Sequence, residues 1–203
     1  MKVSAVALVA ILVMSLVSSC FAGHTNSKIS PGAKMTLHLD DYQKKRKCET
    51  LPTFASWGDI QRRKNIAELS DFDVVVVVFD YGTGITGVEY GLTWPGAWLS
   101  AITTPCGEFQ IGDIADPGDG IAITWSTCVS GDFYFPVAWS VLSPSGTGHI
   151  TLVENPVTGF MGVTDCDFVE DYADTAYNAA INVAPDSVYA EPTTWGSIKA
   201  MFK

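Results

Sequence analysis

The sequence predicts an all-β protein: an antiparallel β-sandwich of about nine strands, followed by a short helix and a helical tail. Three observations carry this. Phe72–Phe79 (FDVVVVVF) is almost continuously apolar and β-branched, the pattern of a strand covered on both faces. Val88, Tyr90, Leu92 and Trp94 alternate with Glu89, Gly91 and Thr93, the pattern of a strand with one buried face. From Phe72 onward strand signals recur every ~8–12 residues with no helical crossover between them, so neighbouring strands should run antiparallel.

The elements follow in order. Lys2 precedes an apolar run over 3–17, then small residues and Cys20-Phe21-Ala22-Gly23. Residues 1–22 therefore read as a signal peptide, too short and wrongly flanked for a membrane anchor. Val17-Ser18-Ser19-Cys20 also fits a permissive lipobox, in which Cys20 would carry lipid; cleavage after Ala22 is the competing reading. No later apolar stretch is long enough to span a bilayer. The expected location is secreted or on the outer side of the cell envelope.

Residues 23–70 form a polar, basic N-terminal segment with one early strand, in which Met35, Leu37 and Leu39 alternate with polar residues. The stretch 42–63 is irregular, and 60–69 has a poor helical period. The sandwich core is expected over 71–166. Its further strands are read at 98–103, 109–114, 121–126, 133–142, 149–154 and 159–163. Gly- and Pro-rich turns such as Asp116-Pro117-Gly118-Asp119-Gly120 separate them. Pro136 within 133–142 points to an edge position or a bulge. Over 167–184, Asp167 as cap and Val169, Tyr172, Ala173, Ala176 and Ala180 at helical spacing predict a helix. Residues 185–203 read as a linker and a tail whose Trp195, Ile198 and Phe202 share a helical face.

Charge divides the chain. Its 12 Lys and Arg face 22 Asp and Glu, a net charge of −10, and no Lys or Arg occurs from Asn65 to Ile198. The acidic body repels nucleic-acid phosphates, so nucleic acid is not an expected partner. The basic segment ahead of it should dock on an acidic face, of its own domain or of a neighbour.

Cys48, Cys106, Cys128 and Cys166 remain after the leader, an even number that implies two disulfides in an exported chain. The expected pairing is Cys106 with Cys128 and Cys48 with Cys166. Three further groups suggest sites. Asp113, Asp116 and Asp119 crowd one turn and offer oxygen ligands of the kind Ca²⁺ takes, although Pro117 and Gly118 explain the segment as a plain turn. The run Phe133, Tyr134, Phe135 must expose at least one ring, a stacking platform for a sugar. His149 lies near Ser143 and Ser145, but no nucleophile elbow accompanies it.

The segment order also resembles the cohesin-type sandwich of bacterial extracellular modules. The likeness lies in Val74-Val75-Val76-Val77-Val78-Phe79, the short link Gly82-Thr83-Gly84-Ile85-Thr86, and Gly87-Val88-Glu89-Tyr90-Gly91-Leu92-Thr93-Trp94-Pro95. Gly91-Leu92-Thr93-Trp94-Pro95, Asp116-Pro117-Gly118-Asp119-Gly120 and Thr194-Trp195-Gly196-Ser197-Ile198-Lys199 are similar to segments of uncharacterised secreted proteins of poorly cultured bacteria. The cysteines and the basic excursion depart from the cohesin pattern, so a dockerin-like partner is not carried over. The expected function is a non-enzymatic surface or extracellular interaction module with a protein or glycan partner. A carbohydrate-binding module using Phe133, Tyr134 and Phe135 is the alternative, and a secreted hydrolase centred on His149 a third.

Overall fold

In the computed structural model, residues 32–183 are described apart from 83, 131, 132 and 174. Among them the chain forms thirteen strands: β1 Lys34–Asp41, β2 Arg63–Lys64, β3 Phe72–Phe79, β4 Ile85–Thr93, β5 Ala97–Pro105, β6 Phe109–Gly112, β7 Gly120–Val129, β8 Tyr134–Pro144, β9 Gly148–Val153, β10 Gly162–Asp165, β11 Glu170–Tyr172, β12 Thr175–Tyr177 and β13 Ala179–Ile181. One sheet has the order β12-β1-β3-β8-β5, and the other β11-β10-β4-β9-β13-β2, with β7 pairing β4 and β6 pairing β7. Ladders are antiparallel except β1·β12 and β2·β13. The expected all-β sandwich forms, with more strands than the sequence resolved. Among the described residues no helix is long and apolar enough to cross a membrane.

β3 shows why its sequence is unbroken by polar positions save Asp73. Phe72, Val74, Val76 and Val78 point into the space between the sheets and pack with Tyr90, Leu92, Ile121 and Ile123. Val75, Val77 and Phe79 point outward, yet they too are buried, under Leu51, Phe54 and Ile60 and beside Tyr134, Trp139 and Val141. The second cover is the irregular N-terminal excursion. Each fully buried valine contributes roughly 1.5–3 kcal/mol relative to exposure, so a strand without a wet face needs both covers.

The excursion is held by polar ties as well as by packing. Arg46, its side chain only 1% exposed, pairs through Nε with Asp73 and through Nη2 with Asp40, each at 2.5 Å. Lys64 pairs with Asp41 at 2.7 Å, and Lys34 pairs with Asp80. Of these carboxylates Asp73 and Asp80 lie in or next to β3, while Asp40 and Asp41 belong to β1 within the basic segment itself. Burial pushes the Asp73 carboxyl above its ordinary pKa despite Arg46. Burial acts the same way on Asp40, but hydrogen bonds and charge from Arg46 prevail and hold it low. Pro136 sits at a bulge in a central strand: Val76 faces Ala138 while Val77 faces Pro136, leaving Val137 as the extra residue.

The disulfides correct the expected pairing. Cys48 bonds Cys106 and Cys128 bonds Cys166, with Cα separations of 5.5 and 5.3 Å. Cys106, just after β5, instead meets Cys48 of the excursion, and its carbonyl accepts from Trp125 Nε1 at 3.1 Å. Val129 and Asp165 instead flank Ile85 from opposite edges of β4, which brings Cys128 and Cys166 together over Gly84. A Cβ at Gly84 would lie 2.7 Å from both sulfurs, so only glycine fits beneath the bond.

The helix expected over 167–184 is a second correction. Its described residues form β11, β12 and β13, which complete the edges beside β10, β1 and β9. Asp167 does not cap a helix; its amide donates to Asp165 Oδ1, as does that of Val169. Phe168 and Asn182 adopt left-handed φ of 62° and 53°, so neither can belong to a right-handed helix. Open sheet edges outweighed a weak helical spacing. The stretch 60–69 likewise holds β2 rather than a helix. The leader 1–22 with Cys20, and the tail 185–203, lie outside the described residues.

A cationic aromatic cleft as candidate functional site

The excursion that covers β3 also shapes a concavity beside it. Asp59 Oδ2 accepts from the Ser56 amide at 2.8 Å, the Ser56 hydroxyl at 3.1 Å and the Ala55 amide at 3.0 Å. The Ser56 bonds hold its carboxyl below the usual range. This cap sets a single 3₁₀ turn, Trp57–Asp59, closed by the Ile60 amide on the Trp57 carbonyl at 3.1 Å. Trp57 is thereby placed edge-on to Tyr177, with ring centroids 4.8 Å apart.

Beyond the turn the chain runs between the two sheets. The Leu39 amide donates to the Gln61 carbonyl at 2.7 Å, and the Gln61 amide to His38 Nδ1 at 3.0 Å. On the other side the Ala180 amide donates to the Arg62 carbonyl at 2.8 Å. Arg62 is therefore fixed at its backbone, and its guanidinium carbon lies 4.9 Å from the Trp57 ring centre and 5.4 Å from that of Tyr177. His38 is 8% exposed and edge-on to Phe54; burial lowers its pKa, which suits an imidazole whose Nδ1 accepts a hydrogen bond.

The resulting cleft has a volume of about 660 Å³, with Trp57, Gln61, Arg62, Arg63, His149 and Tyr177 among its lining residues. Among the described residues no Asp or Glu lines it. Asn178, at the same wall, is held by its Oδ1 accepting from the Leu152 amide at 3.2 Å. A guanidinium lying over aromatic rings gains cation–π attraction to both faces it covers.

The sequence-predicted sites lie elsewhere. Phe133 is 62% exposed, Tyr134 is buried beneath Phe79, and Phe135 is half-buried against Trp125. Tyr134 and Phe135 line a smaller groove of about 320 Å³ with Leu51, Phe54 and Glu49. Asp113, Asp116 and Asp119 do not gather into a metal-holding group, and none is found among the described residues. Asp119 Oδ2 instead accepts from the Ala115 and Asp116 amides at 3.2 and 2.9 Å, and Asp113 Oδ1 from the Ile114 amide at 2.8 Å, as turn residues do. Ser143 donates its hydroxyl to Asp71, while His149 lines the cleft.

Sequence reasoning missed the cleft because its walls come from three separate stretches, 57–63, His149 and 176–180. One signal was present: Leu51, Phe54, Trp57 and Ile60 recur every third residue in an otherwise polar segment, and all four pack on the outer face of β3.

No family model matches the chain, and no curated protein matches it. Among solved structures the chain is similar to cohesin modules. A non-cellulosomal cohesin of Archaeoglobus fulgidus matches at 12% identity and TM-score 0.45, over 75% of this chain and 94% of that one. A type II cohesin domain from the cellulosome of Acetivibrio cellulolyticus matches at 10% and 0.46, over 75% and 96%. A type I cohesin of Pseudobacteroides cellulosolvens matches at 12% and 0.44, over 79% and 99%. Likeness at this level gives no residue of the chain a role.

Proposed function

We propose that the chain is a non-enzymatic binding module of the extracellular side, which holds a partner molecule without converting it. The observation that carries this reading is the cleft: concave, of ligand size, and organised by Arg62 over Trp57 and Tyr177. The frame around it suits export. Two disulfides tie the excursion to β5 and the end of β7 to the turn after β10. The test is an array of extracellular polysaccharides and polypeptides probed with the labelled chain. Saturable binding that Arg62→Ala weakens, with the ligand recovered at unchanged mass, is the expected result. Cleaved ligand, or no binding on the array, would overturn it.

A second reading places a sugar on the exposed Phe133 ring beside the smaller groove. Loss of array binding on Phe133→Ala, with Arg62→Ala unaffected, would favour it.

A further inference from the structure

The larger sheet ends on an edge without the usual guards. Among the described strands β6 pairs β7 alone, and all four of its residues, Phe109–Gly112, are exposed. The register fixes which side chains share a face. Gln110 and Gly112 stand opposite Ile123 and Ile121, both fully buried, while Phe109 and Ile111 stand opposite Thr124 and Ala122. Phe109 and Ile111 therefore lie together on the outer face, 65% and 77% exposed. Edge strands are ordinarily guarded by lysine, by proline or by a covering segment, because their outward amides and carbonyls template a further strand. β6 carries neither lysine nor proline, and two large apolar side chains stand beside its open edge.

Charge says which strand fits there. Glu108 and Asp113 flank β6, and no Lys or Arg occurs from Asn65 to Ile198. Each carboxylate accepts a backbone amide, from Ser126 at 3.2 Å and from Ile114 at 2.8 Å, which orients it without cancelling its charge. A second copy is disfavoured. Antiparallel pairing of β6 with itself over all four residues sets Glu108 of one copy opposite Asp113 of the other, at both ends. Lys or Arg at those two places turns each repulsion into attraction. Apolar residues at alternate positions between them would lie against Phe109 and Ile111.

We infer that β6 is a docking edge for an extended segment of another protein, apolar at alternate positions and basic at both ends, which adds to the sheet as a further strand. The edge is separate from the cleft. β6 lies beyond β7 on one side of β4, and β13, at the cleft wall, lies beyond β9 on the other. The test follows amide shifts of the full chain during titration with the end-capped peptide Lys-Thr-Val-Thr-Val-Lys. Its counterparts are Glu-Thr-Val-Thr-Val-Glu and Lys-Thr-Val-Pro-Val-Lys. The first should move residues 108–112 and 121–124 and bind about tenfold more tightly than the Glu-flanked peptide, with salt weakening it. The proline peptide, which lacks a ladder donor, should not bind. Ile111→Lys should abolish binding with circular dichroism unchanged, since that side chain faces water. Arg62→Ala should bind the peptide as wild type does.

Equal affinity for the Lys- and Glu-flanked peptides, unchanged binding in Ile111→Lys, or no shifts at millimolar peptide would overturn the assignment. A dimer of the chain alone that Ile111→Lys disperses would also overturn it, and would give the edge to a second copy. None of these outcomes touches the cleft, whose ligand is read by its own dependence on Arg62.

Discussion

The two faces of β3 are equally dry but are kept so by different means. Val74, Val76 and Val78 are covered by the opposing sheet, a regular structure whose own strands announce themselves by alternation. Val75 and Val77 are covered by residues 48–60, which contain no strand and only two 3₁₀ turns. The regular cover is held by ladders along its whole length. The irregular one depends on a few long-range ties: Arg46 to Asp73, Cys48 to Cys106, and Gln61 to His38. It is also the cover that carries Trp57 and Arg62. The second face of a doubly buried strand is therefore covered here by an irregular segment, and the cleft proposed as the binding site lies on that segment.

That contrast can be broken most strongly at Arg46. Arg46→Ala leaves Asp73, 0% exposed, as an unpaired buried carboxylate, and should cost about 3–5 kcal/mol in urea unfolding. Arg46 Nη1 and Asp73 Oδ1 have no hydrogen-bond partner even in the intact pair. The double change Arg46→Met with Asp73→Leu should therefore recover most of the loss. A double variant as unstable as Arg46→Ala would mean that the tie is needed for more than charge balance.

Removing Cys48–Cys106, which closes a separation of 58 residues, should cost about 2–4 kcal/mol. Its signature separates the two covers: trypsin should cut the Lys44–Lys47 region of Cys48→Ser/Cys106→Ser faster, while Cys128→Ser/Cys166→Ser leaves that region protected. Equal protection in both variants would show that the excursion does not depend on its disulfide.

The smallest effect is expected at His38. Its folded pKa is lowered by burial, so the unfolded chain, titrating near about 6.5, takes up the proton first as pH falls. Stability from the neutral imidazole is complete above that value. It is lost on going down in pH until the folded group protonates as well. The urea midpoint should fall between neutral and mildly acidic pH, by less than either substitution above causes, and His38→Gln should flatten that fall. An unchanged slope in His38→Gln would place the titration elsewhere.

What was legible follows the same division. Strands with a periodic apolar face, such as β4 with Val88, Tyr90 and Leu92, stand where the alternation placed them, and Pro136 marks a bulge as its missing donor requires. The second cover of β3 could be inferred to exist but not located, since Leu51, Phe54, Trp57 and Ile60 follow neither a helical nor a strand period. The disulfides depended on which residues meet across β4, a fact of sheet order that cysteine spacing does not contain. Val169, Tyr172 and Ala176 carried a helical spacing that edge pairing overrode. Phe133, Tyr134 and Phe135 were visible because they are contiguous; the cleft was not, because Trp57, Arg62, His149 and Tyr177 meet only on folding.

The central claim, that the excursion covering β3 is also where the partner binds, is tested most directly by amide chemical-shift mapping during titration with the tightest ligand found on the array. The shifts should concentrate at residues 57–63, at His149 and at 176–180, around the cleft. Shifts confined to 133–135 or to the exposed edge strand β6, or no shifts at saturating ligand, would contradict it.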